Sequence, residues 1–153
     1  MKLFKHPLNA DAAASTVKGV LQKIALALLA NHAIKVLDLP KGRYGYASNY
    51  GEGQHGEIHL SKRLIDEARG GVRWRTELAV MTYIHEASHK FAHTVDHEGR
   101  GYVSSDDMAY AQPGLTSAEA LTNADSYAAL VMRVSSAIRQ GRDLRKAAEA
   151  AAA

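Results

Sequence analysis

The chain has 153 residues, 46% of them hydrophobic and 23% charged, with a formal charge of +3 and a pI of about 9.2. That is enough for one ordinary globule, burying roughly two thirds of its unfolded surface without covalent staples. With no cysteine, disulfides and thiolate metal sites are excluded, and the scattered basic residues leave no nucleic-acid footprint.

Asn9 or Asp11 stands where a helix cap belongs. Val17, Val20, Leu21, Ile24 and Leu28 then recur at helical spacing, which predicts an amphipathic helix to about Ala30. Residues 17–30 are the nearest thing to a leader, but Lys18, Gln22 and Lys23 interrupt them, and no stretch reads as long and apolar enough to span a bilayer. On that reading the chain is cytoplasmic, exported by a non-Sec route, or excised from a longer protein. AIKVLDL (33–39) alternates as a short strand closed by Pro40, and the Gly- and Tyr-rich residues 41–56 read as a loop or irregular hairpin. EIHLS (57–61) predicts a second strand, and Ser61 a cap for a short helix to Arg69, ended by Gly70-Gly71. A long helix follows from about Arg75 to Ala92, with Leu78, Met81, Thr82, His85 and His89 on one face. Residues 93–114 read as loop, and the capping box TSAE (116–119) opens a helix from Ser117 to about Arg139, ended by Gly141. The tail, 142–153, is helix-prone with little apolar face. The order predicts a single α+β domain over 1–141, mostly helical with a small sheet.

The chemistry concentrates in YIHEASHKFAHTVDHEGRGY (83–102), where histidines stand at 85, 89, 93 and 97. HEASH is an HExxH motif. With eight histidines in 153 residues, chance supplies only about 0.02 such motifs, and the apolar flanks place this one on a buried helix. Histidines at i and i+4 lie about 40° apart in projection and one turn apart along the axis, so His85 and His89 can share one Zn²⁺. Glu86 points beside the metal, where it can take a proton from the attacking water and pass it to a leaving amine. His93 lies about 12 Å along the axis from His85, out of reach of the same ion on a straight helix. The chain must turn back to supply a third ligand: Asp96, His97 or Glu98 from the returning loop, or Glu119 from a later helix. A carboxylate suits the site, because two neutral imidazoles and one carboxylate leave Zn²⁺ with net +1 and an open position. Asn123, Asp125 and Tyr127 are polar residues on an otherwise apolar helix and read as ligand-orienting or substrate-lining groups.

With TVD after HExxH and NADSY at 123–127, the chain resembles the deuterolysin family. These aspzincins include the fungal peptidyl-Lys metalloendopeptidases, and the cysteine-free bacterial branch is the nearer likeness. The likeness covers roughly residues 75–135 and implies a zincin-like fold with HExxH on a central helix. It implies His85 and His89 as ligands, Glu86 as general base and Asp96 as third ligand. Thr94-Val95-Asp96 stands where the family has T-x-D, with His93 at its Gly. The interval from His89 departs by two residues from the fungal one, and a strict count selects Glu98. The family's Tyr position is Gly99 here, so Tyr102 is the substitute expected to donate to the oxyanion. Asp125 matches the acid of NAD, but the family's Glu three residues on is Ala128, which implies weak restriction to lysine and room for longer or apolar side chains.

The expectation is therefore a zinc-dependent endopeptidase acting on protein or peptide substrates with one Zn²⁺. A bacterial effector module with an inhibitor or immunity protein as partner fits the missing Sec signal. A zinc amidase acting on peptidoglycan peptides, or a non-catalytic metal-stabilised binding module, would carry the same motif.

Overall fold

The computed structural model describes residues 10–30, 34–47, 57–97, 100–103, 110–112 and 114–141. Asn9, Glu98, Gly99 and the 142–153 tail lie outside them. The fold is mixed α+β, mostly helical with a three-stranded sheet. The chain forms two compact units, one of Val20–Thr94 and one of Met1–Gly19 with Val95–Ala153.

Helix α1 (Ala10–Leu29) closes off Ile24 and Ala27 and half-buries Ala13, Val17, Val20 and Leu21, a stripe at the i, i+3, i+4 spacing expected of one helix face. Leu28, expected on that face, is 45% exposed, because the 3.6-residue period carries the stripe from Ile24 to Ala27 instead. The helix is 20 residues, about 30 Å, and by length and composition alone it reaches what a membrane crossing needs. That differs from the sequence expectation, which weighed residues 17–30 alone: the helix also takes in Ala10 and Ala12 to Ala14, and the longer apolar stretch outweighs Lys18 and Lys23.

In the unit Val20–Thr94, strands β1 (Ile34–Leu37), β2 (Gly45–Ala47) and β3 (Ile58–Ser61) form a sheet in the order β1-β3-β2. β1 runs parallel to β3 and β2 antiparallel to it. β3 is buried along its whole length, as a central strand must be, while β1 is an exposed edge. Of the two readings of the Gly/Tyr-rich stretch, loop or irregular hairpin, the second fits: it carries β2, which pairs antiparallel with the next strand, β3. α2 (Lys62–Arg69) leaves β3 without a loop. Ser61 has the extended backbone of a cap, but its side chain makes no capping bond; its N–H is donated to the Tyr44 carbonyl at 2.7 Å.

Gly71, at φ 83°, turns the chain into α3 (Arg73–Ala92), which starts two residues before the expected Arg75. α3 packs on α2, β2 and β3. Its approach to β2 needs a glycine: a Cβ on Gly45 would lie 2.8 Å from Thr82 Cγ2, 3.0 Å from the His59 carbonyl oxygen and 3.2 Å from Glu86 Cγ.

In the other unit, α4 (Ser117–Thr122) opens with the capping box, Thr116 accepting from the Glu119 N–H and Glu119 from the Thr116 N–H. The single helix expected from Ser117 to Arg139 is broken at Asn123 (φ −85°, ψ 125°), and α5 (Ala124–Arg139) begins immediately after it. The break is tertiary in origin. Val95 pairs with Asn123 in a parallel bridge, its N–H donated to the Thr122 carbonyl at 2.8 Å and its carbonyl accepting from the Ala124 N–H at 3.0 Å.

Candidate metal centre

The last two turns of α3 bring the HExxH histidines together. His85 Nε2 and His89 Nε2 are 3.0 Å apart, and the rings meet edge to face with centroids 4.6 Å apart. Two nitrogens on one tetrahedral zinc at 2.0–2.1 Å stand about 3.3 Å apart, so the pair is already near ligating separation. His89 is buried and its Nδ1 lies 2.7 Å from the Thr94 carbonyl oxygen. A carbonyl only accepts, so Nδ1 carries the proton and Nε2 turns its lone pair toward His85.

That carbonyl is available because α3 stops at His93. His93 adopts the left-handed conformation (φ 56°, ψ 34°), its N–H donated to the His89 carbonyl and the Thr94 N–H to that of Ser88. The turn is fastened by the buried Ser88 Oγ, 2.7 Å from both the His85 carbonyl and Thr94 Oγ1. The exposed His93 therefore ends the helix, and the chain leaves it extended toward Asp96.

His85, His89 and Asp96 each offer one ligand atom, and those atoms lie within 4.8 Å of one another. All three ride on one continuous stretch of chain: two helical turns, the stop at His93 and the extended residues after it. Among the described residues no other His, Asp or Glu joins the group. His97 Nε2 lies 3.1 Å from Thr122 Oγ1. Glu119 is committed to the capping box and to Arg100, 2.8 Å away; Arg100 and the Thr116 groups hold its carboxyl down at about 2. Glu98 lies outside the described residues. Two neutral nitrogens and a carboxylate oxygen, with no thiolate in the chain, suit a divalent borderline ion such as zinc.

Glu86 is 6% exposed and sits under β2, in the turn of α3 that Gly45 admits. Tyr102 is 49% exposed; its carbonyl accepts from the Ala111 N–H at 2.8 Å. The α5 residues are used within the fold. Asp125 is buried and accepts from the Val103 N–H at 2.7 Å. Tyr127 is fully enclosed, donates to the Leu121 carbonyl at 2.6 Å, and burial pushes its phenol up to about 12. Ala128, expected to leave room for a substrate side chain, is 0% exposed, so its methyl offers no open pocket.

Sequence reading missed the Thr94 carbonyl and Ser88, which orient and fasten the pair. The T-x-D match places Thr94 but not its backbone contact. It also missed Lys90, one residue past His89, which is buried with an ammonium that finds no hydrogen-bond partner among the described residues; burial pushes its pKa down.

Set against protein-family models, curated proteins and solved structures, the chain matches none. The reading of the centre rests on its own geometry.

Proposed function

We propose that this protein is a zinc-dependent endopeptidase with a deuterolysin-like site on a zincin-like fold. The observation that carries the reading is the convergence of His85, His89 and Asp96 on one metal-sized volume, with Glu86 in the same helical turn. Bound there, zinc would supply a Lewis acid that polarises a carbonyl and brings a water pKa toward 7. His85 and His89 are its neutral donors, His89 held in the required tautomer by Thr94. Asp96 contributes the negative charge. Glu86 takes the proton of the attacking water and returns it to the departing amine. Tyr102 donates its O–H to the carbonyl oxygen as charge builds there.

A peptide rather than a small-molecule substrate is favoured by β2. Among the described residues it is an edge strand of the sheet, and it lies over the turn bearing Glu86. An extended chain adding to that edge would run past the carboxylate.

The test is cleavage of an unfolded protein by wild type and Glu86→Gln at equal zinc loading. Wild type cleaves, and the variant retains metal and fold but loses nearly all hydrolysis. Equal cleavage by both removes Glu86 and the mechanism with it; cleavage by neither, with zinc bound, leaves the peptidoglycan-amidase and binding-module readings.

A further inference from the structure

We infer that Asn123 is the positioning residue of the metal centre: its side chain clamps the Gly101 end of the stretch that presents Asp96, and the extended break it makes lets the backbone of Thr122 and Ala124 clamp the Val95 end. This rests on the metal reading above.

The capping box and the apolar run after it would carry one helix through residue 123, yet the chain breaks there for a single extended residue. Breaking a helix gives up backbone hydrogen bonds, and these are replaced by bonds to the Asp96 segment. At its start, Val95 is held from both sides by the Thr122 carbonyl and the Ala124 N–H. At its end, Asn123 Nδ2 donates to the Gly101 carbonyl at 2.8 Å. Between the clamps, the His97 carbonyl accepts from the Arg100 and Gly101 N–H groups at 3.0 and 2.8 Å. Asp96 is exposed, and the two clamps hold the backbone on either side of it.

The side chain at 123 is chosen for this contact and not as filler. It is 1% exposed, and Nδ2 also donates to Ser126 Oγ at 3.1 Å, which is itself 2.5 Å from Tyr110 Oη. Those bonds fix the amide's rotamer. An aspartate would turn an oxygen on the Gly101 carbonyl, and an apolar residue would leave that carbonyl buried without a donor. Gly101 matches from the other side: a Cβ there would stand 2.4 Å from Asn123 Oδ1.

The test is zinc affinity, by competition with a chromophoric chelator, of wild type, Asn123→Ala and Gly101→Ala, each with and without Asp96→Ala, with helical circular dichroism as the fold check. Asn123→Ala removes the side-chain clamp on Gly101, and Gly101→Ala pushes that clamp away without deleting a polar group. Each should weaken zinc binding 10–100-fold, the range for groups that orient ligands. In the Asp96→Ala background neither should weaken it further, because the ligand they position is gone. Should Asn123→Ala not fold, Gly101→Ala carries the test. Wild-type affinity in the folded variants, or the same fold-loss with and without Asp96, overturns the inference alone. Absence of zinc binding by wild type overturns it together with the proposed function.

Discussion

Gly45→Ala probes the contact between β2 and the helix that carries the site, and it needs no metal. The new methyl would stand 2.8 Å from Thr82 Cγ2 and 3.0 Å from the His59 carbonyl oxygen, with Glu86 Cγ at 3.2 Å. None of the three yields cheaply. Thr82 is buried and β-branched, the His59 carbonyl belongs to the central strand, and Glu86 is buried. Overpacking of this kind costs about 1–3 kcal/mol, so urea unfolding of the apo protein should show a lower midpoint at unchanged slope. Thr82→Ser deletes the nearest methyl. Combined with Gly45→Ala it should recover part of the loss, with a coupling of about 0.5–2 kcal/mol. Because the strain also presses on Glu86, Gly45→Ala should lose hydrolysis beyond its loss of stability. Wild-type stability for Gly45→Ala, or strict additivity with Thr82→Ser, would refute this account of how β2 meets α3.

His93 pays the left-handed penalty of an L-residue at φ 56°, so His93→Gly should stabilise the apo protein by roughly 0.5–1 kcal/mol and leave zinc affinity unchanged; a loss in thermal unfolding would show that the His93 side chain does more than end the helix. Glu119 is held at about 2, below the ordinary 4.5, by Arg100 and Thr116. A depressed carboxyl contributes stability that is present above its unfolded pKa and lost as pH falls through the folded one. The destabilisation by Glu119→Gln should therefore be full near neutrality and fade from about 4.5 toward about 2, and a pH-independent cost in denaturation curves would contradict it. Tyr102→Phe should lower the turnover rate on the order of 10²-fold if one oxyanion donor is removed, and an unchanged rate takes Tyr102 out of the mechanism.

What could be read in the sequence was local. The i, i+4 spacing of His85 and His89, the TSAE box and the helix boundaries follow from contacts a few residues apart. Apart from the break at Asn123, they match the structure to within a residue or two. What could not be read depends on distant partners. Nothing in LTNADSYAAL announces that Asn123 leaves the helix, because the groups that pull it out, on Val95 and Gly101, are more than twenty residues away in sequence. For the strand Gly45–Ala47 the sequence left loop and irregular hairpin open for the same reason: its glycine is there for Thr82 and Glu86, not for a turn. Asp96 could be placed among four candidate ligands by chemistry and resemblance, but only the left-handed stop at His93 shows how the chain turns to bring it near the histidines. Ala128 shows the opposite failure, since a small residue on a helix reads as space although the packing around it has closed.

The most direct measurement is a zinc titration of the metal-free protein, followed by equilibrium dialysis and elemental analysis, on wild type, Asp96→Ala, His97→Ala and Glu119→Gln. The account predicts one zinc per chain in wild type, His97→Ala and Glu119→Gln, and a large loss of affinity in Asp96→Ala alone. Full zinc retention by Asp96→Ala, or no stoichiometric zinc in wild type, would contradict it.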